Sequence, residues 1–85
     1  MKRDEAEVRQ LVSRHLQAIA PEIEPADIPD DAPLREEADI DSYDFLNLLV
    51  RLSEELQVEI PEADYPQLQT LGGLVRYLAA ATASG

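Results

Sequence analysis

DSYDFLNLLVRLSEEL, residues 41–56, is the stretch on which the fold turns. Asp41 is a good helix N-cap, and Asp44, three residues on, has the spacing of a capping box with Asp in the usual place of Glu. The helix so begun should run through Phe45 to about Gln57. At about 100° per residue, Phe45, Leu48, Leu49, Leu52 and Leu56 gather on one face and form a core seam. Tyr43, Leu46 and Val50 project from a different face, bordered by Asp44, Asn47, Arg51 and Glu54. A helix apolar on two faces is either buried all round or presents its second stripe to something else. In a chain of 85 residues complete burial is hard to arrange. The spacing therefore predicts an exposed or pocket-lining strip rimmed by acids. The plainer reading is that Leu46 and Val50 only touch a minor helix near Tyr65 and Leu68.

Upstream, Pro21, Pro25, Pro29 and Pro33 recur every fourth residue. Each removes a backbone donor and clashes one turn back, so none can sit in a helix interior. Roughly Pro21 to Ile40 reads as a long loop, with Ile23, Ile28 and Leu34 spaced to pin it onto the core. Before it, Val8, Leu11, Val12, Leu16 and Ile19 form the apolar stripe of an amphipathic helix from about Asp4 to Ala20. His15 lies at the edge of that stripe as a partly covered packing residue and receives no catalytic role.

Downstream, Val58-Glu59-Ile60-Pro61 is too short for more than an extended link. Pro66 limits Glu62 to Gln69 to a turn or short helix. Thr70 caps a last helix through Leu71, Leu74, Val75, Leu78 and Ala79. Gly72 and Gly73 in its first turn each cost about 1 kcal/mol against Ala, which blurs its start. Ala80 to Gly85 is expected to fray. The sum is an all-α fold: a small three-to-four-helix bundle, one domain over residues 1–85, with a long loop between the first and second helices.

Composition narrows the chemistry. With no Cys there is no disulfide, no thiol nucleophile and no Cys-based metal site. A single His excludes a multi-His site. The acids Asp27, Asp30, Asp31, Asp39 and Asp41 invite a calcium-loop reading. The required Gly is absent, however, and Val50 stands where a bidentate Glu would close a loop begun at Asp39. No metal site is expected. The carboxylates read as a solvated face, not as an active site, and no catalytic residue is assigned. Eighteen Asp+Glu against seven Lys+Arg leave a net charge of -11. That balance argues against nucleic acid and for basic partners. No apolar run is long enough to span a membrane, and Met1-Lys2-Arg3 leads into acids with no secretory h-region. A monomeric, cytoplasmic module is the expectation.

Ser42 stands out by its setting. A helix N-terminus collects unpaired N–H groups and the positive end of the helix dipole, so a phosphate esterified to Ser42 would be favoured there and exposed. An Asp-Ser pair alone carries no weight.

These residues resemble the acyl carrier protein family. Members read Asp-Ser-Leu at the start of their second helix, then about four helical turns, then an apolar-Pro pair; Asp41-Ser42-Tyr43 and Ile60-Pro61 match that pattern without a gap. The likeness extends to the Thr70-Leu71-Gly72-Gly73-Leu74-Val75 helix start, to the helix–loop–helix order and to the acidity. The resemblance implies that Ser42, with Asp41 beside it, is the attachment site of 4′-phosphopantetheine. A phosphopantetheinyl transferase would install it from coenzyme A with magnesium. The arm's thiol would then hold acyl groups as thioesters for acyl-loading and acyl-processing enzymes, with the chain itself no enzyme. In the family, acids of the second helix dock on basic patches of such partners. Here Asp41, Asp44 and Glu54, with Glu55, are the matching acids. Tyr43, Leu46, Asn47 and Val50 match partner-facing positions, or line a chain-holding cleft with Leu68.

Asp39 and Ala38 depart from the family's usual Gly and apolar residue, Tyr43 from its Leu, and Asn47 from a common acid, while Arg51 adds a cation. These departures point to a specialised stand-alone carrier with a differently arranged docking partner. Fatty-acid-like or polyketide-like cargo is favoured. An aminoacyl or peptidyl carrier of the same fold, and an unmodified acidic interaction module, remain open alternatives.

Overall fold

The computed structural model describes residues 4–83. Four α-helices, α1 (Glu5–Ile19), α2 (Leu34–Glu37), α3 (Ser42–Leu56) and α4 (Leu71–Ala83), are joined by two 3₁₀ segments, Pro25–Asp27 and Glu62–Leu68. Among the described residues there is no strand, only an isolated bridge between Pro33 and Thr70.

Helix α1 starts where its cap stands. The Asp4 carboxylate accepts the Glu7 amide at 2.8 Å, and Glu5 and Glu7 lie at the positive end of the helix dipole. Its buried residues are Val8, Leu11, Val12 and Leu16, the stripe read from periodicity. α1 lies against both α3 and α4, so its apolar face meets the Phe45–Leu48–Leu49–Leu52–Leu56 seam and the Leu74–Val75–Leu78 face. The core is almost wholly aliphatic, with Phe45 its one buried aromatic. Each fully buried Leu or Val in it stabilises the fold by roughly 1.5–3 kcal/mol.

The proline-rich segment is not the uninterrupted loop expected for residues 21–40. Pro25 opens a 3₁₀ turn and Pro33 is the N-cap of α2. Proline at or just before a first helical position loses no hydrogen bond and brings its φ already set. Four-residue spacing excludes one continuous helix but permits short ones between the prolines. Ile28 and Leu34 are buried and Ile23 half-buried against the core, as their spacing predicts. Asp30 ties three parts together. Its carboxylate takes both Arg9 guanidinium nitrogens at 2.8 and 3.0 Å, and its carbonyl accepts the Gly72 amide at 3.0 Å. The Arg9 hydrogen bonds hold the Asp30 carboxyl below the ordinary carboxylate range.

That last contact explains the glycines of α4. A Cβ on Gly72 would lie 3.0 Å from the Asp30 carbonyl oxygen, and one on Gly73 2.5 Å from that of Gln67. Both positions allow backbones to approach, which outweighs their low helix propensity. Thr70 caps this helix as expected, its hydroxyl accepting the Gly73 amide at 3.0 Å. Fraying was expected over Ala80–Gly85. The helix persists through Ala83, its Thr82 hydroxyl bonding the Ala79 carbonyl, while residues 84–85 lie outside the described residues. Four of the five residues from Ala79 to Ala83 are alanine, the residue of highest helix propensity.

Candidate functional site

α3 is positioned at its start by a chain reversal. Ala38 ends α2, buried, and Asp39 follows with φ 52°. Such a left-handed residue is the usual way to stop a helix, and Asp tolerates it better than most side chains. The Ile40 amide reaches back to the Arg35 carbonyl at 3.0 Å, which turns the chain toward α3. Asp41 then caps α3, its carboxylate accepting the Asp44 amide at 2.8 Å while its carbonyl accepts that of Phe45 at 3.0 Å. The reciprocal half of the capping box is missing: the Asp44 side chain makes no bond back to Asp41. Asp is one methylene shorter than the Glu that closes such boxes. The Asp44 carboxylate is thus left unpaired among the described residues.

Ser42 is the first residue of α3 and is exposed. Its hydroxyl has no partner among the described residues, and its amide and that of Tyr43 lack intrahelical acceptors by position. A phosphodiester there would meet free N–H groups and the positive helix end, with solvent on the outer side.

The second apolar face of α3 is open. Tyr43 is 73%, Val50 47% and Leu46 43% exposed, whereas the five seam residues are buried. Asn47 and Glu54 flank this strip and are exposed, and their side chains, like that of Tyr43, have no polar partner among the described residues. From Ser42 to Glu54 the strip spans about 18 Å. Leu68, grouped with it from the sequence as a cleft residue, is fully buried in the core. It sits where the 3₁₀ helix Glu62–Leu68 packs onto α4, anchored by the Tyr77 hydroxyl donating to Asp64 at 2.6 Å.

Glu55 lies apart from the strip. It faces α1, its carboxylate 3.4 Å from His15 Nε2. The sequence offered His15 no neighbour because its partner is forty residues away. The residue that sequence reading missed is Asp39 as the turn that aims Ser42; its signal was an acid in a slot where a glycine would be expected. Among the described residues, no group of three or more His, Asp or Glu is arranged to hold a metal ion, and no helix is long and apolar enough to cross a membrane.

Comparison with known proteins places this geometry. A family model described as the phosphopantetheine attachment site matches residues 6–78. An acyl carrier protein of Caulobacter vibrioides is 30% identical over 76 residues, 89% of this chain and 91% of that one. An acyl carrier protein of Chlamydia trachomatis is 34% identical over 56 residues, 66% and 73% of the two chains. Among solved structures, an acyl carrier protein from Enterococcus faecalis superposes with a TM-score of 0.68 at 20% identity, covering 87% of this chain and 96% of that one. That last likeness is one of fold.

Proposed function

The chain belongs to the acyl carrier protein family, and from that membership we propose that Ser42 is the residue bearing its 4′-phosphopantetheine. As a family member it is a carrier and not an enzyme, and its cofactor is that covalent arm. The arm supplies a thiol for thioester chemistry to a chain that has no Cys. The observation that carries the assignment is the Ser42 hydroxyl, exposed and without a partner among the described residues, at the first residue of α3. The transferase forms the bond from Ser42 Oγ to the pantetheine-side phosphorus of coenzyme A. In the same step the bond to adenosine 3′,5′-bisphosphate breaks and the hydroxyl proton is lost.

The chain's own residues have three tasks. Asp41 fixes the helix start and hence the hydroxyl. The free amides of Ser42 and Tyr43 offset the phosphodiester charge. Asp44 and Glu54, with Tyr43, Leu46, Asn47 and Val50 on the open side of α3, meet a basic partner surface. A net charge of -11 steers such partners from a distance. The cargo best suited to the aliphatic Leu46–Val50 strip is a fatty-acid-like or polyketide-like chain.

Incubation with coenzyme A and an active transferase, followed by intact mass measurement, tests the site. Wild type should gain one phosphopantetheine and Ser42→Ala none; addition that survives Ser42→Ala moves the site elsewhere. Offering the loaded chain fatty acids and amino acids, each with an adenylating enzyme, tests the cargo. Thioesters with amino acids alone would overturn the fatty-acid-like reading.

A further inference from the structure

A cavity of about 400 Å³, lined by Pro33, Arg35, Glu36, Asp39, Ile40 and Gln69, lies on the loop side of the α3 start and includes none of the open strip of that helix. The volume is within the range of small-ligand sites. Ile40 stands two residues before Ser42, so their Cα atoms are at most about 7 Å apart. Backbone hydrogen bonds fix the cavity walls. The Leu34 amide donates to the Gln69 carbonyl at 2.8 Å, joining α2 to the segment before α4. The Ile40 amide donates to the Arg35 carbonyl at 3.0 Å and holds the turn against α2. The polar lining offers both kinds of hydrogen-bonding group. The Arg35 side chain is exposed and makes no hydrogen bond or ion pair among the described residues, although Glu36 and Asp39 line the same cavity. A guanidinium has five N–H donors and no acceptor. Gln69 is the reverse case: its Nε2 donates to the Tyr65 carbonyl at 3.0 Å, which leaves Oε1 as an oriented acceptor with no partner among the described residues. Pro33 and the half-buried Ile40 supply the apolar part of the lining.

A 4′-phosphopantetheine arm is a phosphodiester followed by a gem-dimethyl carbon, a hydroxyl and two amides. We propose that this cavity is the resting site of the arm borne by Ser42: Arg35 holds the phosphodiester, Gln69 Oε1 accepts an amide N–H, and Pro33 and Ile40 cover the gem-dimethyl group. The inference rests on Ser42 being the attachment residue. Arg35 is the one cation among the lining residues, and guanidinium geometry matches a phosphate oxygen pair. Walls already fixed in the free chain lower the cost of ordering a flexible arm.

The test compares the full chain with and without its arm by heteronuclear NMR, after intact mass has shown one arm per molecule. Amide shift changes on loading should extend beyond residues 41–43 to residues 35–40 and to the Gln69 side-chain NH2. The gem-dimethyl protons of the arm should give nuclear Overhauser contacts to the Ile40 methyl groups. Arg35→Gln leaves the backbone bond to Ile40 in place, and should abolish those contacts and the Gln69 shift change. Arg14→Gln removes the same charge from α1, outside this cavity, and should preserve both. Thermal melts of the two variants exclude misfolding. Shift changes confined to residues 41–43, or contacts from the arm to Leu46 and Val50 in place of Ile40, overturn the inference. Equal loss in the two arginine variants overturns it too, since the effect would then belong to net charge. Failure of the attachment reading is seen separately, in the intact mass, as modification surviving Ser42→Ala, and overturns both.

Discussion

The Tyr77 hydroxyl donates to Asp64 at 2.6 Å, and that bond fastens the 3₁₀ helix Glu62–Leu68 to α4. The hydrogen bond to Asp64, helped by burial and by the Asp64 charge, pushes the Tyr77 hydroxyl up to about 12. A folded-state value above the unfolded one of 10.0 means that the protonated phenol stabilises the fold. That contribution is complete below pH 10 and is lost as pH rises through about 12. Tyr77→Phe should therefore lose about 1 kcal/mol at neutral pH. The wild type's advantage over it in denaturant melts should vanish across the alkaline window. At this scale Ser42 was legible because a helix start is written in short-range cap chemistry, Asp41 followed by Ser42. The Tyr77–Asp64 and His15–Glu55 pairs were not, since each joins residues that only the folded chain brings together.

Helix α4 opens with two glycines, and its neighbours explain them. Alanine at either position gains about 1 kcal/mol of helix propensity. At Gly73 the new methyl carbon would sit 2.5 Å from the Gln67 carbonyl oxygen, and at Gly72 3.0 Å from that of Asp30. Overpacking against backbone costs about 1–3 kcal/mol. Gly73→Ala should thus be net destabilising and more so than Gly72→Ala, an order that urea melts would check; the reverse order would contradict the contact geometry. Asp41→Ala should cost about 1 kcal/mol through the lost cap on Asp44. The long helices were readable because apolar periodicity repeats over several turns, as in Val8 to Leu16 and Phe45 to Leu56. The 3₁₀ turn Pro25–Asp27 and helix α2 were missed, since an element of three or four residues is too short to display a period. They are held by Ile28 and Leu34 reaching the core, a tertiary effect that those two residues did announce.

The whole molecule places a net charge of -11 on 85 residues. Few cations offset it at short range: among the described residues Arg9 pairs with Asp30 at 2.8 Å, and His15 lies 3.4 Å from Glu55. Self-repulsion therefore opposes folding at low salt, and added salt screens it over about 10 Å at 0.1 M. The melting temperature should rise by several degrees between about 10 and 200 mM NaCl, since about 1 kcal/mol moves the midpoint of a domain this size by roughly 4–8 °C. A flat profile would contradict it. The same acidity was legible from composition alone. What composition could not give was the orientation of that charge, with Glu54 exposed beside the open strip of α3, Asp44 half-buried in its first turn and Glu55 turned to His15 of α1. The proposed anchor of the covalent arm is one hydroxyl at the head of α3. Peptide mapping by tandem mass spectrometry of the protein purified from its own cells tests that most directly. The account predicts phosphopantetheine on the peptide containing Asp41-Ser42-Tyr43, with fragment ions placing it on Ser42. An unmodified Ser42 throughout, or the arm on another residue, would contradict it.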